Sequence, residues 1–329
     1  MSYTQETQVA IKAVQQASRL CQEVQKRLVE GIELTKGDKS PVTVADFGAQ
    51  AIVSYLLERA FPQIPLVGEE DASELREQNN VELKDKVVAA ARSVLNNLDE
   101  STILSSIDRG MYEGGSQGRH WCLDPIDGTK GFLRGEQYAV ALALIEDGEV
   151  VLGVLGCPNL PHDLNDPEGS KGSIFVGVKG EGAYQMGLDS FDQTSIRVVQ
   201  SADPASLKLC ESVEKAHTSQ SDSAKVAEQL GIVNAPVRID SQCKYATVAR
   251  GDAAIYLRLP TRPGYQEKIW DHAAGWRVIV EAGGQVSDVY GKPLDFSLGR
   301  TLAQNKGVIV TNGPLHEKVL EAVQDVLGL

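Results

Sequence analysis

The chain has 329 residues, enough for one large domain or two medium ones around a sizeable core. Its 45 acidic and 32 basic residues give a net charge of −13, which argues against nucleic-acid polymers and anionic membranes as partners, because both attract clustered Lys and Arg. No stretch approaches the roughly 20 apolar residues of a membrane span, and the polar start lacks the apolar core of a signal peptide. Five scattered cysteines without CxxC spacing suit a reducing compartment, so we expect a cytoplasmic protein, with an organellar location left open.

The first part of the chain begins with two predicted helices. Apolar residues three and four positions apart predict an amphipathic helix over residues 7–30. A second helix is expected from about residue 43 to residue 58. A short strand at residues 66–67 leads into an acidic sequence, and residues 71–99 are typical of polar helix and loop.

From Trp121 onward, β-strand patterns dominate. Two apolar runs flank Asp147-Gly148, a dipeptide typical of a tight hairpin turn. After about residue 200, predicted strands alternate with predicted helices, which is typical of an α/β unit. We therefore divide the chain into an α+β domain over residues 1–199 and an α/β domain over residues 200–329. Strands are expected at residues 138–145, 150–155, 173–178, 196–199, 237–239, 253–259 and 308–311, and the later helices at residues 224–230, 272–282 and from 314.

The sequence Trp121-Cys122-Leu123-Asp124-Pro125-Ile126-Asp127-Gly128-Thr129 is the central chemical motif. An apolar strand delivers Asp124 and Asp127 onto a turn shaped by proline and glycine. Two carboxylates so close repel each other unless a cation lies between them, so this turn is a candidate cradle for a divalent metal. The structural alternative is an Asx-type turn at Asp127-Gly128.

Further acidic positions have structural alternatives of their own. Asp46 follows Thr43 by three residues, which fits a capping box at a helix start, and taken alone we favour that role. Glu69 and Glu70 follow a strand and, taken alone, favour a solvated loop. Asp271 fits an N-cap on the next helix. Taken together, however, these carboxylates lie at strand ends or helix starts, where the active sites of α/β sheets collect.

The combined ligand set indicates a hard cation. It consists of oxygen donors without a nearby pair of His or Cys, which selects Mg²⁺ first and Mn²⁺ second over zinc. A cluster of four or five carboxylates would be costly without cations. His272 directly follows Asp271, and adjacent helix positions point apart, so we assign His272 a structural or supporting role.

Three segments stand out together: Gly68-Glu69-Glu70, Asp124-Pro125-Ile126-Asp127-Gly128-Thr129 and Trp270-Asp271-His272-Ala273-Ala274-Gly275. They resemble the signatures of the lithium-sensitive, Mg²⁺-dependent phosphomonoesterases, the superfamily that includes inositol monophosphatase and fructose-1,6-bisphosphatase. The flanking residues 128–135, 240–245 and 265–272 are most similar to the 3′(2′),5′-bisphosphate nucleotidases of that superfamily. The resemblance runs from about Lys36 to Thr311 and implies an α+β protein built as a layered αβαβα sandwich.

The resemblance also implies roles for the acidic positions. Asp46 and Thr129 would orient and deprotonate the attacking water. Two or three Mg²⁺ ions, with Mn²⁺ as a substitute, would be bound, and Li⁺ would inhibit by competing at a weaker Mg²⁺ site. The implied metal ligands are Glu69, Asp124, the backbone carbonyl of Ile126, Asp127 and Asp271.

Substrate contacts follow from the same resemblance. Without it, Lys244 and Arg258 are ordinary strand or loop charges, and alternation alone puts Arg258 on the solvent side of its strand. Ser241-x-x-Lys244 also matches a serine acyl-enzyme pattern, which we reject because the sequence has no Lys-Thr-Gly or Ser-Asp-Asn partner. The implied substrate-binding residues are Gly128, Thr129, His217, Thr218, Ser241, Lys244, Arg258 and Asp271.

The resemblance therefore implies a Mg²⁺-dependent phosphomonoesterase that removes the 3′-phosphate of adenosine 3′,5′-bisphosphate, giving AMP and phosphate. The same activity would extend to 3′-phosphoadenosine 5′-phosphosulfate and would belong to sulfate assimilation. Two alternatives stay open. One is an inositol polyphosphate 1-phosphatase, as the sole or a second activity, and the other is a non-catalytic sensor that binds the nucleotide. In each case the partner is a small molecule, and a monomer is favoured.

Overall fold

Two mixed β-sheets and three layers of helices make up the computed structural model of the chain, which describes residues 2–30, 40–213, 219–262 and 264–329. His217 and Thr218 lie outside the described residues. The helices are α1 Thr4–Val29, α2 Ser40–Ala60, α3 Val81–Val94, α4 Glu100–Asp108, α5 Thr129–Leu133, α6 Gln220–Leu230, α7 Cys243–Arg250, α8 Ala273–Glu281 and α9 His316–Leu327. The strands are β1 Leu66–Gly68, β2 Arg119–Asp127, β3 Ala139–Glu146, β4 Glu149–Pro161, β5 Lys171–Val178, β6 Gly182–Gly187, β7 Thr194–Ser195, β8 Leu209–Glu211, β9 Val237–Arg238, β10 Ile255–Arg258, β11 Gln285–Ser287 and β12 Val308–Thr311.

The larger sheet follows the chain from β1 to β7 in order. Strands β1 and β2 are parallel, and every later neighbouring pair is antiparallel. The predicted hairpin between β3 and β4 is confirmed, because Asp147 and Gly148 have positive φ values of 52° and 80°, as a tight turn that matches the strand twist requires. The smaller sheet has the order β11-β12-β10-β8-β9 and mixes parallel with antiparallel pairs.

The helices and sheets alternate in five layers. Helices α1 and α2 pack on one face of the larger sheet around the first apolar core. Helices α7 and α8 lie between the two sheets and share a second core with both. Helices α6 and α9 cover the outer face of the smaller sheet. The expected αβαβα sandwich is therefore confirmed. In the part of the chain that the structure describes, no helix combines the length and apolar composition needed to cross a bilayer.

Several elements differ from their predicted bounds. Helix α2 begins at Ser40 rather than at Thr43. Residues 196–199 form no strand, although the amides of Ile196 and Val198 still bond to the carbonyls of Ala183 and Ala282. Helix α7 was not predicted, because only eight residues separate two turn-like sequences. The proposed division of the chain at residue 199 stays a prediction, and each sheet lies on its own side of that position.

Helix α8 lies directly on the larger sheet because two cross-strand glycines make room for its backbone. Gly153 on β4 pairs with Gly177 on β5. A Cβ atom on Gly153 would lie 2.3 Å from the carbonyl oxygen of Ala274, and one on Gly177 would lie 2.8 Å from the Cα of Val278. Both distances are too short for a real Cβ contact, so these two glycines set the depth at which α8 packs.

We expect Gly153→Ala to push α8 outward and to lower the free energy of unfolding by about 1–3 kcal/mol, the usual effect of overpacking. The measurement is urea denaturation, with Ser195→Ala on the exposed strand β7 as the control. A Gly153→Ala protein as stable as the wild type would show that the helix can move without loss.

Candidate active site

The ends of β1 and β2 bring two acidic residues together. These strands are parallel, and Gly68 pairs with Leu123, so the next residues lie side by side: Glu69 directly follows β1, and Asp124 is still paired within β2. The charge of Glu69 raises the pKa of Asp124, so their carboxyl groups interact directly. Two carboxyl groups this close must share a proton or a cation, because two bare carboxylates would repel.

The end of β2 turns sharply after Asp124. The pairing register with β3 shifts between Asp124 and Asp127, and Gly128 has a φ of 94° that favours glycine. This turn aims Asp127 toward the start of α7, where its Oδ2 atom accepts a hydrogen bond of 2.5 Å from the amide of Gln242. The Ile126 side chain is buried, and the metal-binding role of its carbonyl stays a prediction.

Asp271 reaches the same cluster from the far part of the chain. Its position just before α8 does not make it the cap, since His272 occupies the N-cap position. The Asp271 carboxylate instead accepts a hydrogen bond of 3.3 Å from Nη2 of Arg258. The charge of Asp271 acts on both Glu69 and Asp124, so the four predicted acidic ligands form one cluster.

Asp46 is inside α2 and not at its start. Because the helix begins at Ser40, Asp46 falls beyond the first turn, and the capping-box interpretation is wrong. The side chain is buried, and this burial, followed by the charges of Glu70 and Glu69, raises its pKa well above the usual value. Thr129 is exposed at the first position of α5, a helix that contacts α2.

The electrostatics of the cluster fit a bound cation. Burial, followed by the charge of Glu69, raises the pKa of Asp124 well above its usual value. Glu69 opens onto solvent on one side, yet its partial enclosure and the charge of Asp271 raise its pKa to about 8. Burial raises the pKa of Asp271 to about 6, against the opposing charge of Arg258. The Oδ1 atom of Asp124 is buried and accepts no hydrogen bond from the described residues. An orphaned carboxylate oxygen among oxygen donors suits a hard divalent ion.

A second acidic group, made of Glu267, Asp271 and His272, has ligand atoms within 4.8 Å of one another. Arg258 lies 2.8 Å from Glu267 and 3.3 Å from Asp271, and so neutralises this group. Burial raises the pKa of Glu267, but the hydrogen bond from His272 and the charge of Arg258 outweigh it and hold the pKa at about 2. We therefore interpret this group as an ion-pair network beside the site, which agrees with the supporting role assigned to His272.

A pocket next to the cluster gathers most of the predicted substrate-binding residues. Its lining residues are Asp127, Gly128, Lys130, Gly131, Asp240, Ser241, Gln242, Lys244, Tyr256, Arg258 and Asp271. Five of the eight predicted substrate-binding residues line the pocket. Thr129 lies in sequence between two lining residues, Gly128 and Lys130. His217 and Thr218 lie outside the described residues. Their roles in binding stay predictions.

Three basic residues line the pocket, Lys130, Lys244 and Arg258, and the last two are predicted substrate contacts. Lys244 is buried, and its ammonium group lies 5.0 Å from the centre of the Tyr256 ring. Burial lowers the pKa of Lys244, while the charge of Asp127 opposes this shift. Ser241 has a φ of 67°, an unfavourable backbone conformation for a residue with a side chain. The alternation argument placed Arg258 on the solvent side of its strand, but its guanidinium group faces Glu267 and Asp271.

Gln242 is a site residue that the sequence analysis missed. Its amide bonds to Asp127, its Nε2 atom donates to the carbonyl of Trp270 at 2.9 Å, and its Oε1 atom accepts from the amide of Gly275 at 3.0 Å. It therefore ties the start of α7 to residues on both sides of Asp271. The missed helix α7 concealed this role, because without that helix Gln242 belongs to an unstructured polar stretch.

Known proteins resemble this chain over nearly its whole length. A model of the inositol monophosphatase family matches residues 2–327. The chain is 47% identical to a 3′(2′),5′-bisphosphate nucleotidase from Schizosaccharomyces pombe, with 99% of this chain and 97% of that protein covered. It is 46% identical to 3′(2′),5′-bisphosphate nucleotidase 1 from Arabidopsis thaliana, covering 100% of this chain and 98% of that protein.

Solved structures share the fold at lower identity. An IMPase from Thermotoga maritima superposes with a TM-score of 0.64 at 21% identity, covering 98% of each chain. An inositol monophosphatase from Anabaena gives a TM-score of 0.63 at 20% identity, covering 98% of this chain and 97% of that one. The chain belongs to the inositol monophosphatase family and, within it, to the group of the 3′(2′),5′-bisphosphate nucleotidases.

Proposed function

We propose that the protein is a Mg²⁺-dependent phosphomonoesterase that removes the 3′-phosphate of adenosine 3′,5′-bisphosphate, giving AMP and phosphate. The relatives that share 46–47% of its sequence bear the name of this activity. The structural observation that carries the proposal is the position of the carboxylate cluster next to a pocket that contains Lys244 and Arg258. We extend the proposal to 3′-phosphoadenosine 5′-phosphosulfate, which carries the same 3′-phosphate.

The inositol monophosphatase family is Mg²⁺-dependent in general. In this chain, Glu69, Asp124, Asp127 and Asp271 would hold the ions, and we propose two or three of them, with Mn²⁺ as a substitute and Li⁺ as an inhibitor. When bound, such ions activate water and neutralise charge on the phosphoryl group. Their positive charge would also let an acidic protein bind an anionic nucleotide.

Asp46 and Thr129 would handle the proton of the attacking water. The Thr129 hydroxyl is a poor base alone, but it can pass a proton to a nearby carboxylate. Asp46 is buried, and its raised pKa shows that it binds a proton more readily than an exposed aspartate. A base with a raised pKa is better matched to neutral pH.

Lys244 and Arg258 would bind the nucleotide. Both are cations in the pocket lining, and Arg258 is already oriented by Glu267 and Asp271. The Tyr256 ring lies beside Lys244 and limits where its ammonium group can go. We propose that the enzyme acts as a cytoplasmic monomer on a free nucleotide and not on a nucleic-acid polymer.

The function is tested by phosphate release from adenosine 3′,5′-bisphosphate with Mg²⁺, with and without millimolar Li⁺, beside inositol 1,4-bisphosphate. We expect fast, Li⁺-sensitive release from the nucleotide and slow release from the inositol compound. Preference for the inositol compound would make the protein an inositol polyphosphate 1-phosphatase. Tight nucleotide binding with no release from either compound would make it a sensor.

We expect Asp46→Asn to lower kcat by about 10²–10⁴-fold, the usual contribution of general acid–base catalysis. Nucleotide and metal binding should stay close to the wild type, because Asp46 is not among the predicted metal ligands. Steady-state kinetics and calorimetric titration with Mn²⁺ measure both quantities. A near-normal kcat would return Asp46 to a structural role in α2.

The metal-free protein should lose stability as the pH rises through the range 6.5–8.5. An unfolded carboxyl group titrates near pH 4, whereas folding raises the pKa of Glu69 to about 8, within this range, and that of Asp271 to about 6, just below it. The folded state thus binds more protons, so stability is full below the unfolded pKa and falls as pH rises through the folded values. Saturating Mg²⁺ should remove this slope. Burial lowers the pKa of His120 to about 4, so the titration of this residue changes stability only below this pH range.

The slope is measured as Tm against pH in EDTA and in Mg²⁺, with Asp124→Asn as the matched variant. The variant removes, at nearly constant shape, a carboxyl group whose pKa folding raises, so its metal-free slope should be shallower. Equal slopes with and without Mg²⁺ would contradict a cation site at these carboxylates.

A further inference from the structure

Arg300 connects two segments that lie far apart in the sequence. Its Nη2 atom donates to the carbonyl of Gly68 at 2.6 Å, and its Nη1 atom donates to the carbonyls of Gly110 and Tyr112 at 3.1 and 3.0 Å. Its guanidinium carbon lies 4.8 Å from the centre of the Trp270 ring. The backbone carbonyl of Arg300 also accepts the amide of Ile269 at 3.2 Å.

The contacted residues are sequence neighbours of two predicted metal ligands. Gly68 immediately precedes Glu69, and Trp270 immediately precedes Asp271. Glu69 follows the last residue of β1, whereas Asp271 leads into α8, so no strand pairing between them fixes their separation among the described residues. Arg300 contacts both neighbours at once, and therefore fixes how far apart the two carboxylates are held.

The end of β1 is also fixed by a second side chain. Gln50 of α2 accepts the Glu70 amide at 3.1 Å and donates to the carbonyls of Glu70 and Ile107. A Cβ on Gly68 would lie 2.6 Å from its Oε1 atom. The end of β1 is thus enclosed between Gln50 and Arg300, and only the second of these reaches the Asp271 segment.

The chemistry of the contact requires arginine. A planar guanidinium group carries five donors in a rigid fork and stacks on an aromatic ring, whereas a lysine ammonium is a compact point charge. Three carbonyls and one indole ring around a single group match the arginine pattern. A lysine at this position would keep the positive charge but lose the simultaneous contact with β1 and Trp270.

We propose that Arg300 is a positioning residue that sets the distance between Glu69 and Asp271 and thereby the metal affinity of the site. This inference rests on the proposed metal site. Residues that orient metal ligands from outside the coordination shell typically contribute about 10–100-fold in metal affinity. Arg300 should act on metal binding in the absence of any substrate.

The test is titration of the full-length protein with Mn²⁺ in the absence of substrate. Binding is measured by calorimetry and, independently, from the electron paramagnetic resonance signal of free Mn²⁺. Arg300→Lys should weaken Mn²⁺ binding about tenfold. In activity assays it should need more Mg²⁺ for half-maximal rate, while the KM for nucleotide at saturating Mg²⁺ stays near the wild-type value. Trp270→Phe, which keeps a ring but gives a weaker cation–π contact, should weaken binding in the same direction and serves if Arg300→Lys does not fold.

The matched control is Arg109→Lys. Arg109 likewise donates to three backbone carbonyls, those of Ser54, Phe61 and Ile64, but none of these residues adjoins a predicted metal ligand. This variant should lower Tm and leave Mn²⁺ affinity unchanged. An equal loss of affinity in Arg109→Lys would reduce the effect to general stability, and unchanged affinity in both Arg300→Lys and Trp270→Phe would overturn the inference.

Asp124→Asn separates failure of the inference from failure of the proposed function. If the wild type binds Mn²⁺ and Asp124→Asn does not, the metal site stands and the Arg300 variants decide the inference alone. If the wild type binds no Mn²⁺, or if Asp124→Asn binds it equally well, the proposed site and the inference fall together.

Discussion

Repulsion among clustered carboxylates is the constraint on which the rest of this structure depends. Glu69, Asp124, Asp127 and Asp271 converge at one place, where enclosure and the neighbouring negative charges raise the pKa values of Glu69, Asp124 and Asp271. Arg258 relieves part of this charge through its contact with Asp271. The fold must hold these carboxylates together against their mutual repulsion. Many of the contacts around the site keep the acidic residues in place.

Those contacts come mainly from groups that carry no catalytic chemistry. The parallel pairing of β1 with β2 sets Glu69 beside Asp124. Gln242 fixes Asp127 relative to the residues around Asp271, and the cross-strand pair Gly153 and Gly177 lets α8 lie against the sheet. The geometry of the cluster therefore depends on positions spread over the larger sheet and the first residues of α7 and α8.

The sequence predicted the order of most elements because their causes are local. The period of the apolar residues in α1 and the Asp147-Gly148 turn act over a few residues, and the structure confirms both. The role of Asp46 in capping was wrong because it depended on a helix start misplaced from Ser40 to Thr43. The roles of Gln242 and Arg300 could not be found, since each arises from contacts between segments that meet only in the folded chain.

The burial of single residues was predicted with mixed success for the same reason. Alternation along β10 placed Arg258 toward solvent, but the neighbouring segment with Glu267 and Asp271 covers that side of the strand. Alternation within one strand predicts which residues share a face of the sheet. It does not predict whether a later segment of the chain covers that face. The acidic motif itself was found because its spacing is local and its resemblance to a family is specific.

The position of Asp271 along the chain has a consequence for how the protein is made. Domains synthesised on the ribosome generally fold from the N-terminus onward, and Glu69, Asp124 and Asp127 all precede the smaller sheet. Asp271 and the Arg300 that holds its segment follow the whole of the larger sheet in the sequence. A nascent chain can thus build the larger sheet early, yet the acidic cluster stays incomplete until the segment with Asp271 and Arg300 has left the ribosome.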